Sequence, residues 1–131
     1  YIFTALSSLC RVLELKYNLG VRIRKAYKAG DRAGIDNICN DISEIVERLK
    51  IFYKDYRNLW YTENKPFGFE IQDARLGGLL TRLESCKDRL ESFVKSETES
   101  IDELETPILP YRENPTLYFS IYRRLISPSE I

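Results

Sequence analysis

The sequence predicts an all-α protein: an antiparallel three-helix bundle with a short helical turn and an extended C-terminal tail. Three observations predict it. From Asp31 onward, Ile35, Ile38, Ile42, Ile45, Leu49, Phe52, Tyr56 and Leu59 recur at alternating spacings of three and four, which is the repeat of one helix face. Leu76, Leu79, Leu83, Cys86, Leu90 and Phe93 repeat that seam further on. Between the periodic runs stand Gly30-Asp31 and Asn64-Lys65-Pro66 with Gly68, residue types that stop one helix and start the next.

The first helix is expected over residues 2–29. It carries two apolar stripes, one through Leu6, Leu9, Leu13, Tyr17, Gly20, Ile23 and Tyr27, the other through Val12, Leu15, Leu19 and Ala26. A helix of a free-standing bundle needs only one stripe, so the first is assigned to the core and the second is expected to meet a partner beyond the other two helices. The second helix is expected over 31–62, with Gly30 ending its predecessor and Asp31 as its N-cap. The third is expected over 70–95, fading in the polar SETES run. A SIDELE turn follows. Pro107, Pro110 and Pro115 then exclude regular helix, and the alternation of Leu117, Phe119 and Ile121 with Tyr118, Ser120 and Tyr122 gives the tail, 106–131, the period of an extended segment. The sequence holds no internal repeat.

At 131 residues the chain is one domain, long enough to bury a single core. Twenty Lys and Arg balance twenty Asp and Glu, so no net field recruits nucleic acid or an anionic membrane surface. Met is missing altogether, position 1 included, and the chain therefore reads as a fragment of a longer protein. His is missing too, and Cys10, Cys39 and Cys86 lie far apart without CxxC spacing, so neither a metal site nor a cofactor is expected. Three thiols among apolar neighbours suit buried free cysteines in a reducing compartment, which favours a cytoplasmic location.

Chemistry has few candidates. Arg75, Arg82 and Arg89 form a seven-residue ladder beside the third seam; a small helical enzyme could use such a ladder to bind a dicarboxylate, while arginines in that place more simply pair with acids of a neighbouring helix, here Asp31, Asp36, Asp41 and Glu44. Glu70 and Asp73 could imitate a catalytic carboxylate pair, but acids in a first turn are favoured by the helix dipole alone. Trp60 and Tyr61 beside Asn64 and Lys65 could stack on a sugar ring, or simply pack. Gly77 and Gly78 each cost about 1 kcal/mol relative to Ala in a helix, so a close helix crossing or another domain's backbone must compensate. Trp60, Asn64, Lys65, Glu70, Asp73, Arg75, Gly77 and Gly78 are thus interface candidates. No catalytic, cofactor-binding or metal-ligating residue is assigned.

The set Lys16, Leu19, Gly20, Arg24, Ala26, Tyr27 and Gly30-Asp31, followed by Trp60, Asn64-Lys65-Pro66, Gly68, Glu70, Asp73 and Arg75-Leu76-Gly77-Gly78, is similar to the C-terminal helical domain of bacterial family 20 glycoside hydrolases, the β-N-acetylhexosaminidases. The resemblance implies a non-catalytic domain that follows a (β/α)8 barrel and serves interdomain packing or dimerisation. Family 20 enzymes remove terminal N-acetylhexosamine, with the substrate's acetamido oxygen as nucleophile and a Glu, next to an Asp, as general acid. That pair has no counterpart here, because Asp102-Glu103 lies in the SIDELE turn. The implied partners are the upstream barrel, a second subunit in a dimer, and an N-acetylhexosaminide reached only through the parent. Two other readings stand beside it: an independent module that binds a partner helix on the second face of helix one, and the small helical enzyme with its arginine ladder. All three share one fold, for which far-ultraviolet circular dichroism should report roughly two-thirds helix; a strand-dominated spectrum would contradict it.

Overall fold

The computed structural model describes residues 1–107, and among these there is no strand. Its elements are α1 (Ile2–Lys16), α2 (Leu19–Lys28), α3 (Arg32–Glu63), α4 (Phe69–Val94) and the single turn α5 (Asp102–Glu105). The all-α expectation holds, and the boundaries of the two long helices fall within a residue of those expected. The extended run at Leu117–Tyr122 lies outside the described residues.

Helix ends follow local chemistry. Gly30 adopts φ 64° and closes α2, its N–H donating to Tyr27 O while the Asp31 N–H reaches back to Ala26 O, the paired bonds of a glycine-terminated helix. Asp31 then caps α3 by accepting from Gly34 N at 2.8 Å. A Cβ at Gly34 would lie 2.3 Å from Asp31 Oδ2, so a larger residue there would displace the capping carboxylate. At the far end of α4 the residue in the left-handed region is Ser96, φ 62°. Arg32 steadies that end, donating to Phe93 O and Val94 O and to Ser96 Oγ, with its guanidinium 4.6 Å from the Phe93 ring centre.

The core is built around α3. Ile35, Ile42 and Ile45 have no exposure, and Ile38, Cys39, Val46 and Leu49 are also buried. α1 and α2 lie along one side of α3 and α4 along the other, both antiparallel to it. On the first side, Tyr1 meets Glu63, Glu14 meets Arg48 and Arg22 meets Asp41; on the second, Tyr53 meets Asp73 and Arg32 meets Phe93. α1 and α4 approach each other less than either approaches α3. Closure between the two sides comes at the base, where Tyr27 of α2 packs on Phe93 of α4 at 5.0 Å and Ile101 is buried beneath the turn into α5.

Two expectations need correction. The first helix is not continuous: it is interrupted at Tyr17 and Asn18, where Asn18 takes φ −116°, ψ 12°. Arg22 answers the interruption by donating through Nη2 to Leu15 O at 2.9 Å while Nη1 reaches Asp41 at 2.5 Å, so a carbonyl freed by the break keeps a partner. Up to the break the two stripes also exchange roles. Val12 and Leu19 are buried with Ala5 and Ser8, whereas Leu6, Leu13 and Tyr17 are 51%, 45% and 77% exposed; Ile23, further along the first stripe, is buried as expected. Periodicity found both stripes. The choice between them depended on volume: where α1 crosses α3, the small Ala5 and Ser8 admit the close approach that Leu6 and Leu13 would prevent.

Three phenols join elements through carboxylates: Tyr1 to Glu63, Tyr27 to Glu105 and Tyr53 to Asp73. In each, the hydrogen bond to the carboxylate is the largest cause lifting the phenol pKa above its ordinary value. A folded-state pKa raised in this way gives stability that is present below the unfolded value near about 10 and lost as pH climbs through the folded value. The urea midpoint should therefore begin to fall once pH passes the unfolded thiol range, because burial pushes Cys39 up to about 11, and fall further above about pH 10 as the phenols titrate, with Tyr53→Phe removing part of that second fall. For the core, Leu49→Ala should cost about 2 to 5 kcal/mol in urea titrations, and Leu13→Ala, on the outer stripe, well under about 1 kcal/mol.

Candidate functional site

The corner between α3 and α4 is set by a helix stop and a glycine. Asn64 leaves the helix with ψ 166° after its N–H bonds Trp60 O at 2.8 Å, and Pro66 prevents continuation. Gly68 then adopts φ 94°, with space for a Cβ only against the Trp60 ring at 3.5 Å. That conformation turns the two neighbouring phenylalanines apart. Phe69 points inward, 1% exposed, and Phe67 outward, 82% exposed.

Around Phe69 gather four aromatic rings, with centroids at 5.3 Å for Tyr61, 5.8 Å for Tyr56 and Trp60, and 6.0 Å for Tyr53. Polar groups fasten the shell. Trp60 donates through Nε1 to Lys65 O at 3.1 Å, Glu70 accepts from Gly68 N at 2.8 Å, and Asp73 accepts from the Tyr53 hydroxyl at 2.6 Å. Of the eight candidate residues, Trp60, Glu70 and Asp73 brace the corner from within, and Asn64 and Lys65 serve through their backbones while their side chains stand exposed. Arg75 is half-buried and has an interaction partner of its own. Gly78 is half-buried as well. Gly77 is exposed, and a Cβ built on it would meet nothing within 4 Å, so no helix crossing within the described residues explains its lack of a side chain.

The residues that present the corner outward are ones the periodic reading passed over. Phe67 is 82% exposed, and Tyr61 and Ile71 are each 52% exposed. A signal for them existed in Phe-Gly-Phe: a glycine with positive φ between two phenylalanines cannot bury both on one side. The first turn of α1 lies at the same end, since Tyr1 donates to Glu63, and it adds Ile2 and Phe3, 47% and 84% exposed.

Elsewhere several candidate side chains are engaged in structure. Of the arginine ladder, Arg89 binds Glu103 of α5 at 2.8 Å; of the acids expected to meet it, Asp31 caps its own helix, Asp41 holds Arg22 and Glu44 holds Arg48. A groove of about 670 Å³ between α1 and α3 is lined by Phe3, Ser7, Arg11, Arg48, Ile51 and Asp55. Its Arg48 is tied to Glu14 at 2.6 Å, Glu44 at 2.8 Å and Arg11 O at 2.7 Å, so two carboxylates already offset its charge. The thiols are only partly as expected: Cys39 is buried, its pKa pushed up to about 11 by burial, Cys86 is half-buried and also raised by burial, but Cys10 is exposed. Among the described residues no group of three His, Cys, Asp or Glu could hold a metal ion, and no helix is long and apolar enough to cross a membrane.

The family model described as Glycoside Hydrolase 20C C-terminal domain matches residues 1–120. The chain belongs to that family. A search of the curated proteins finds no match. Membership in a family of C-terminal glycoside hydrolase domains implies a catalytic domain in the same chain. For the glycoside hydrolase 20C domain itself, the two phenylalanines flanking Gly68 should separate cleanly: Phe69→Ala should cost about 3 to 5 kcal/mol in urea titrations of the domain, whereas Phe67→Ala should stay within about 0.5 kcal/mol.

Proposed function

We propose that this domain is the non-catalytic C-terminal module of a β-N-acetylhexosaminidase, an enzyme that hydrolyses terminal N-acetylhexosamine residues, and that it packs its corner end against the catalytic domain of the same chain. One observation carries the reading: among the described residues, six of the eleven exposed large apolar side chains gather at one end. Tyr1, Ile2, Phe3, Tyr61, Phe67 and Ile71 all lie where α1 begins and α3 turns into α4, while Leu6, Leu13, Tyr17, Val21 and Ile51 are spread along the bundle. Exposed apolar surface concentrated at one end suits burial against another domain.

The interior supports the same polarity. Leu83, Leu90 and Phe93 in the second half of α4 are buried, while Leu76 and Leu79 in the first half are only half-buried. Gly77, with open space above it, suits a neighbouring backbone that comes close. A second subunit seated on the same end is the alternative reading, favoured by the accessibility of both Phe67 and Phe3.

The test uses the full-length enzyme and a nitrophenyl N-acetyl-β-glucosaminide. Phe67→Asp with Ile71→Asp should lower kcat/KM or the thermal midpoint of the whole enzyme while leaving the isolated domain folded by circular dichroism. Unchanged kinetics, stability and molar mass in the full-length enzyme would overturn the interface reading. A fall in molar mass by light scattering would assign the end to the second subunit. The isolated domain should show no turnover above the spontaneous rate, and measurable hydrolysis by it would overturn the non-catalytic assignment.

A further inference from the structure

The groove between α1 and α3 holds polar groups that the fold itself does not use. α1 contributes Phe3, Thr4, Ser7 and Arg11 on one face, and α3 contributes Ile51 and Asp55 one turn apart. The two helices run antiparallel, and with Glu14 held on Arg48 the register sets Arg11 across from Ile51 and Ser7 across from Asp55. Space opens there because Thr4, Ser7 and Ser8 are small. Ser8 turns its hydroxyl back to Thr4 O and Ala5 O, both at 3.1 Å, and Arg48 with its two carboxylates closes the far end. No described residue bonds or pairs with the hydroxyls of Thr4 and Ser7, the guanidinium of Arg11 or the carboxylate of Asp55. Asp55 is half-buried, and a carboxylate drawn out of water without a partner is destabilising.

We infer that this part of the groove binds a neutral sugar ring. The charges argue against an ion. Arg48 is offset by Glu14 and Glu44, and what remains is one cation, Arg11, and one anion, Asp55. An anionic ligand is repelled by Asp55 and a cationic one by Arg11. A sugar suits both, since its hydroxyls donate to a carboxylate and accept from a guanidinium, bonds stronger than those between neutral groups. The hydroxyls of Thr4 and Ser7 can do either. The C–H face of a sugar ring needs an apolar wall, and Phe3 and Ile51, both exposed, supply one from each helix. The volume of about 670 Å³ falls within the range of small-molecule sites, ~300 to 1,000 Å³. Phe3 also belongs to the apolar end, so the site opens beside the junction proposed above. The choice of glycan for the test rests on that proposed function, while the sugar-binding chemistry of the groove does not.

Full-length enzyme is illuminated with N,N′-diacetylchitobiose that carries a diazirine, and labelled peptides are mapped by mass spectrometry. Label is expected in the catalytic domain and, separately, on peptides holding residues 3–11 or 48–55, in both places suppressed by excess unlabelled disaccharide. Arg11→Ala and Asp55→Ala should each lower the groove label about tenfold, the loss expected for a hydrogen bond to a charged group, and leave the catalytic-domain label as it was. Neither side chain has a bonding partner in the fold, so circular dichroism should be unchanged. If α1 and α3 acquire no competed label, or acquire one that neither substitution reduces, the proposal is overturned. The two readings fail separately. Groove label without catalytic-domain label counts against the hexosaminidase and leaves the groove standing, whereas the reverse pattern removes the groove alone. The ligand class has its own control: if the cationic glucosamine disaccharide, or anionic glucuronic acid, suppresses the groove label at a lower concentration than N,N′-diacetylchitobiose, the site is an ion site and the sugar assignment is wrong.

Discussion

The burial of α3 on two sides is the constraint on which the rest of the structure depends. A helix with one apolar stripe can pack against one neighbour; Ile35, Ile38, Ile42, Ile45 and Leu49, widened by Cys39 and Val46, form a face broad enough for two. α1–α2 and α4 are therefore placed with respect to α3 and only secondarily with respect to each other. Arg32 caps α4, Asp41 and Arg48 hold α2 and α1, and Tyr53 holds the first turn of α4. Each of these groups belongs to α3. The ion pairs are exposed enough that each contributes little to stability, and their value is in register: they fix which turn of each neighbour meets which turn of α3.

Burial along α3 is uneven, and this unevenness produces the candidate site. Below Leu49 the face is closed. Above it Phe52, Tyr56, Leu59 and Trp60 are only half-buried, so the bundle opens toward the corner, and aromatic rings do there what aliphatic packing does below. Phe69 fills the opening because Gly68 can adopt a positive φ and turn the chain inward. The same turn sends Phe67 out. A rigid corner and an exposed ring are thus consequences of one backbone conformation, which keeps the ordering cost of presenting Phe67 to a partner low.

Much of this architecture was legible in the residues. The α3 and α4 seams, the Gly30 stop, the Asp31 cap and the corner's location follow from spacing and from side chains with local hydrogen-bonding preferences. What was not legible depended on three-dimensional volume. Nothing in the spacing of α1 distinguishes Leu6, Leu13 and Tyr17 from Val12 and Leu19 as core, and the assignment made from hydrophobic size was the wrong one. Leucines look more like core than Ala5 and Ser8 do, yet it is the small residues that let two helix backbones approach. The break at Asn18 was equally hidden: Gly20 two residues on was read as part of the stripe, and the freed carbonyl is answered by Arg22, a residue whose partners come from α1 and α3. At the corner the candidate residues were found but their division of labour was not: Glu70 and Asp73 brace, while Phe67, Tyr61 and Ile71 face outward.

The exchange of stripes also changes what the apolar surface of α1 means. Had Leu6, Leu13 and Tyr17 been core, the leftover stripe through Val12 and Leu19 would have been mostly aliphatic and narrow. The stripe left exposed instead carries Tyr17 and Cys10, and it ends at Arg24, which binds the chain as it leaves α5. Arg24 contributes three donations to backbone carbonyls of Glu103, Leu104 and Thr106, more than a one-turn helix requires for its own ends. The domain's two exposed apolar surfaces are then physically distinct, one built on the rigid corner between α3 and α4, the other a line along α1 and α2.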